Sequence, residues 1–142
     1  MKGEQLNYQK TDIGLLKDLS EYSHILPDSK LEMKGKVFLN DLVGLTGSEI
    51  SFNAMLPKES MPFYHKHTYN EEVYIILSGI GEFIVDDEVI AVKEGSVIRM
   101  NPEAVRSWRN ISETENLTFI TIQTKANSMD SSKPTSDGVV VR

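Results

Sequence analysis

From Lys36 onward the chain reads as short apolar runs in alternation with polar residues, each halted by turn formers, and this commits it to strands. The runs are Val37-Phe38-Leu39, Ile50 to Leu56, Tyr64 to His67, Glu72 to Leu77, Gly81 to Val85, Val89 to Val92, Ser96 to Met100, Arg106 to Trp108 and Leu117 to Thr124. They are rich in β-branched and aromatic residues and are separated by Gly, Pro, Asn, Asp or Ser. Such spacing predicts an all-β sandwich or barrel. Asp86-Asp87-Glu88 and Lys93-Glu94-Gly95 predict tight hairpin turns. Upstream, Ile13, Leu15, Leu16 and Leu19 suit one or two helical turns within Asp12 to Leu19, a pattern that Gly14 weakens. After Thr124 the composition turns polar, as in Lys125-Ala126-Asn127-Ser128 and Ser131-Ser132-Lys133-Pro134, which predicts a flexible tail. The closing Val139-Val140-Val141 suits pairing with a sheet edge. The expected organisation is an irregular N-terminal extension over 1–35, a barrel over 36–124 and a tail over 125–142.

A chain of 142 residues is the size of one domain. Its net charge of -6 gives nucleic acid and anionic membranes little to hold, and the cluster Arg99, Arg106 and Arg109 has acidic neighbours in sequence. A small molecule is the expected partner. There is no cysteine, so a metal site must use nitrogen and oxygen ligands. The polar start from Met1 to Lys10 lacks a signal-peptide pattern, and no apolar run approaches the ~18 residues of a membrane span. The expectation is a cytoplasmic protein without membrane contact.

The stretch with chemical content is His65-Lys66-His67, followed by Glu72 and Gly79. Successive strand side chains face opposite sides, so positions 65 and 67 point one way and Lys66 the other. Glu72 opens the next apolar run and returns to the same pocket if the chain turns at Thr68-Tyr69-Asn70. Two imidazoles and a carboxylate then converge from adjacent strands. Other candidates are weaker. His24 lies in the N-terminal segment, where a surface histidine is the common case. Asp86 and Asp87 sit at a hairpin tip, where solvation removes the environment that acid/base work needs. Gly79-Ile80-Gly81 precedes a strand and not a helix, so it is a turn and not a phosphate loop. With three histidines, two of them on one strand, no serine-histidine-acid set is convincing. Gln123 ends the last long run and offers a neutral ligand or a hydrogen bond to a substrate.

The run His65-x-His67-x4-Glu72-x6-Gly79 resembles the first signature of the cupins, and Gly95 through Asn110 resembles the second. The resemblance covers roughly residues 36 to 124. It implies a single-domain double-stranded β-helix, or jelly-roll barrel, that is usually a homodimer. It also implies that His65, His67 and Glu72 are metal ligands, with Glu71 the weaker carboxylate candidate. The second signature departs from the pattern: Arg106 stands where the family has its last metal-binding histidine, and Asn101 and Glu103 replace a proline and a glycine. Asn110 matches.

Two readings follow. In one, a divalent transition metal such as iron, manganese or zinc sits on His65, His67 and Glu72, while Arg106 clamps an anionic group of a small substrate. A metal-dependent oxygenase or isomerase acting on a small oxygen-rich acid is the matching activity. In the other, Glu72 pairs directly with Arg106, no metal is bound, and the protein is a non-catalytic sensor or carrier. Period two places Tyr74 on the face of Glu72 and Trp108 on that of Arg106, which makes both candidates to line the pocket, with an ordinary core role as the alternative.

Overall fold

Alternation becomes architecture because each strand must bury one face, and two sheets laid face to face bury both at once. The computed structural model describes residues 6–25, 32–129, 132 and 137–142. Its strands are β1 (Ser23–Ile25), β2 (Glu32–Lys34), β3 (Lys36–Phe38), β4 (Glu49–Met55), β5 (Asn70–Ser78), β6 (Ile80–Val85), β7 (Glu88–Lys93), β8 (Val97–Met100), β9 (Arg106–Asn110) and β10 (Leu117–Lys125). A five-stranded sheet has the order β3-β4-β10-β5-β8, and a three-stranded sheet has the order β7-β6-β9. All pairings are antiparallel. This is the all-β jelly-roll barrel that the cupin resemblance implies.

The register shows how the barrel interior is graded. Directly opposed residues of antiparallel strands share a face. One inward row is therefore Glu49, Gln123, Glu72 and Met100, and the next is Ser51, Thr121, Tyr74 and Ile98. A third is Lys36, Asn53, Phe119 and Ile76. Beyond them Met55 and Leu117 are buried. Apolar residues thus fill one end of the barrel and polar ones line the other.

The apolar end is an aromatic core. Phe83 lies 4.9 Å from Tyr74 and 5.5 Å from Trp108 between ring centroids, and Phe119 packs against all three rings. Each buried ring of this kind stabilises the fold by about 1.5–3 kcal/mol through lost water contact. Asn110, at the far end of β9, is buried and donates to the carbonyls of Met55, Leu56 and Glu115 while accepting from Ser112 N–H. Its role is to staple the loops that close this end.

Several expectations shift in detail. Tyr64 to His67 is not a regular strand: the segment bridges β9 at Ser60–Arg109 and His65–Arg106, and these two pairs differ in register by two residues. Met61 N–H donates to Trp108 O and His65 N–H to Arg106 O, so four residues of this segment span two of β9 and the ladder is broken between them. Alternation survives nonetheless, with Phe63, His65 and His67 half-buried and Tyr64 and Lys66 exposed. The helical turns appear as a 3-10 helix over Leu16–Glu21, which buries Leu19. The sequence did not suggest the pairing of β1 with β2 or the short α1 (Leu39–Val43). The Val139-Val140-Val141 run forms no strand and is exposed, because no described edge receives it. At the β6–β7 turn Asp86 and Asp87 have φ of 48° and 72°, the left-handed pair that a two-residue hairpin loop demands.

Candidate functional site

Glu72 stands second on β5, on the inward face and near the polar mouth, and is 3% exposed. Its Oε1 is a hub. Tyr74, two residues along the same face, donates its hydroxyl to Oε1 at 2.6 Å. Arg106 Nη2 donates to the same oxygen at 2.6 Å from β9 in the opposing sheet. His67 Nε2 lies 3.3 Å away and His65 Nε2 3.7 Å away, both from the segment that bridges β9. The histidines reach the centre because His65 exchanges both backbone hydrogen bonds with Arg106, which fixes the segment against the barrel wall.

Charge follows from these contacts. Burial alone raises the pKa of the Glu72 carboxyl, but its contacts with His65, His67, Tyr74 and Arg106 outweigh burial and hold it well below the usual carboxylate range. Tyr74 moves the other way: burial, then the adjacent Glu72 charge and hydrogen bond, push its hydroxyl well above the usual tyrosine range.

Arg106 has no exposed surface. Its Nη1 donates to Ala104 O at 2.5 Å and faces Pro102 O at 3.4 Å. The carbonyls that hold it belong to the loop where Asn101 and Glu103 depart from the cupin pattern, so the altered loop and the arginine form one unit. Arg106 does not line the cavity, and clamping an anion there would require it to leave Glu72.

That cavity occupies about 150 Å³. His65, His67, Glu72 and Gln123 line its mouth side, and Tyr74 and Trp108 its floor. Both aromatic candidates therefore touch the cavity and also belong to the core. Gln123 Oε1 accepts from Asn70 Nδ2 at 3.1 Å. Asp86 is exposed at its turn and accepts from Val105 N–H, a structural bond. The backbone of His24 pairs with Met33 in β1–β2, while its side chain lies outside the described atoms.

Sequence reasoning missed the wall opposite the histidines, where Lys36, Ser51 and Thr121 line the cavity. The signal was present: Ser51, Asn53 and Thr121 put polar side chains at inward positions of otherwise apolar strands, and a polar inward row marks a pocket.

His65, His67 and Glu72 form a donor set that could hold a metal ion, with donor atoms within 4.8 Å of one another. Ligands about 2.1 Å from a tetrahedral ion lie about 3.4 Å apart, so the 3.3 and 3.7 Å spacings fit. His67 Nε2 is buried without a hydrogen-bond partner among the described residues, as a metal-facing nitrogen is. The charge does not fit as well. A permanently protonated guanidinium donates to the same carboxylate oxygen that a metal would need and already neutralises it.

Comparisons with known proteins agree with this geometry. Residues 52–123 match the family described as Cupin domain. An uncharacterized protein of Methanocaldococcus jannaschii is 38% identical over 58 residues, which cover 41% of this chain and 46% of that relative, so the match spans about half its length. The crystal structure of a cupin protein from Bacteroides fragilis superposes with a TM-score of 0.75 at 33% identity, covering 97% of this chain and 100% of the other. A predicted oxalate decarboxylase from Thermotoga maritima superposes with a TM-score of 0.50 at 26% identity, over 54% of this chain and 64% of its own. With the barrel topology, the two signatures and these matches in agreement, the chain belongs to the cupin family, as a small single-domain member with arginine at the last ligand position.

Proposed function

We propose that this cupin is a non-catalytic carrier or sensor of a compact organic ligand, its pocket organised by the Glu72–Arg106 ion pair. The observation that carries this reading is the 2.6 Å hydrogen bond from Arg106 Nη2 to Glu72 Oε1 with no exposed surface on the arginine. General acid/base catalysis works best with a pKa near the operating pH. Glu72 is held ionised and Tyr74 protonated, each shifted away from neutrality, so neither serves as a proton shuttle. A cavity near 150 Å³ suits a molecule about the size of benzene. We also propose a homodimer formed by edge pairing, because β7 and β8 end their sheets and carry the exposed Val89 and Val97.

A second reading rests on the spacing of His65, His67 and Glu72 and on the unpartnered His67 Nε2. Here these residues hold a divalent transition metal such as iron, manganese or zinc, which when bound would polarise an oxygen of the substrate. The activity would be that of an oxygenase or isomerase acting on a small oxygen-rich acid. The likeness to a predicted oxalate decarboxylase is compatible with it.

Elemental analysis of protein prepared without a metal-affinity tag, then chelated and refilled, separates the two. The first reading expects substoichiometric metal in the wild type and stoichiometric metal in Arg106→His, in which the fourth ligand is restored and the competing charge is gone. Stoichiometric uptake by the wild type would reject the first reading in favour of the second.

A further inference from the structure

Arg106 is spent on Glu72, yet the cavity has a cation of its own. Lys36 opens β3 directly opposite Asn53 of β4, and that register turns its side chain into the barrel. Its Nζ donates to Asn53 Oδ1 at 2.7 Å, contacts Ser51 Oγ at 3.4 Å, and stands 5.1 Å from the centre of the Phe38 ring. These acceptors are themselves fixed. Asn53 and Ser51 are buried, and Asn53 Nδ2 donates to Ser51 O and to Thr121 Oγ1.

An ammonium carries three donors, and two neutral oxygens take two of them. Among the described residues no carboxylate forms an ion pair with it. The acids that act on it from further off are Glu72 and Glu49. Glu49 is two residues along β4 from Ser51 on the inward face and acts on the ammonium without an ion pair. Glu72 shares the row of Glu49 and is neutralised by Arg106. Burial, only partly offset by these two acids, lowers the Lys36 pKa to about 8, the behaviour of a cation short of a counter-ion. One protein-supplied charge with a free donor suits a carboxylate, whereas a phosphate dianion calls for several donors.

Resting on the reading of the cavity as a ligand site, we propose that Lys36 anchors the carboxylate of a compact organic acid, whose remaining atoms extend toward His65, His67 and Gln123. Lys36 is then the residue that sets ligand charge, the part first expected of Arg106.

The test is calorimetric titration of the full chain with straight-chain acids from propionate to hexanoate and with the matching primary amides. Wild type is compared with Lys36→Met and with Lys36→Gln, the second because methionine leaves Asn53 Oδ1 without its donor. The expected result is that wild type binds at least one acid about tenfold or more tightly than its amide, the gain of one charge-assisted hydrogen bond. Both variants should bind acid and amide alike, near the wild-type affinity for the amide. Equal binding of acid and amide by wild type, or a preference for the acid retained in both variants, would overturn the assignment and leave the cavity reading standing. If wild type binds none of the probes, the cavity reading fails and the assignment fails with it.

Discussion

Replacing Arg106 with methionine removes the guanidinium and keeps an unbranched apolar stem in the space it filled. Glu72 stays buried at 3% exposure, with Tyr74 and the two histidines as its remaining neighbours. Removing one partner of a buried ion pair destabilises by about 3–5 kcal/mol, because the other charge is left uncompensated. In a domain of this size each kcal/mol corresponds to roughly 2–4 °C of melting temperature, so the variant should melt about 6–20 °C lower. The double variant Glu72→Gln with Arg106→Met should recover much of that loss, since no buried charge then lacks a partner. Urea unfolding at pH 7 of wild type, both single variants and the double variant supplies the cycle. A pH series adds an independent signature. The Glu72 carboxyl is depressed in the folded state, so its stabilisation is present above the ordinary value of 4.5 and is lost as pH falls toward the native value. The gap between wild type and Arg106→Met should therefore shrink in acid. An Arg106→Met protein within about 1 kcal/mol of wild type at pH 7 would refute the argument that the pair is buried and mutually dependent.

Two further outcomes are expected. Gly79 has φ of 91°, and a Cβ there would meet Asn116 O and lie 2.9 Å from Leu117 Cα, so Gly79→Ala should lose about 2 kcal/mol or more in urea unfolding. Lys36 should titrate near 8 when followed by NMR at its side-chain nitrogen; because the unfolded chain holds that proton more tightly, stability relative to Lys36→Met should rise between pH 8 and 10.5.

The strands were legible from Lys36 onward because period-two patterning is local: Val73, Ile75 and Leu77 face one way, and Glu72, Tyr74 and Ile76 the other, whatever the rest of the chain does. The pairing of β1 with β2 was not legible, since Glu32-Met33-Lys34 is three residues long with a single apolar one, too short for its alternation to distinguish it. The strand expected at Tyr64 to His67 dissolved into bridges because the segment carries two more residues than β9 between its bonds to Trp108 and Arg106, and its next N–H, that of His67, turns to Pro102 O.

The same division runs through the site. Spacing alone put His65 and His67 on one side and returned Glu72 toward them, because side-chain direction on extended backbone follows from covalent geometry. It offered two partners for Arg106, a ligand anion or Glu72, and could not choose between them. That choice belongs to the tertiary structure, where the carbonyls of Pro102 and Ala104 fix the guanidinium against Glu72 with no path to solvent. Lys36 is the sharper case: it is an ordinary polar residue at a strand start until the β3–β4 register turns it inward over Phe38 and against Asn53. Local sequence determines which way a side chain points along its own strand, whereas what it meets there depends on register between segments far apart in the chain, and that is decided only when the barrel closes.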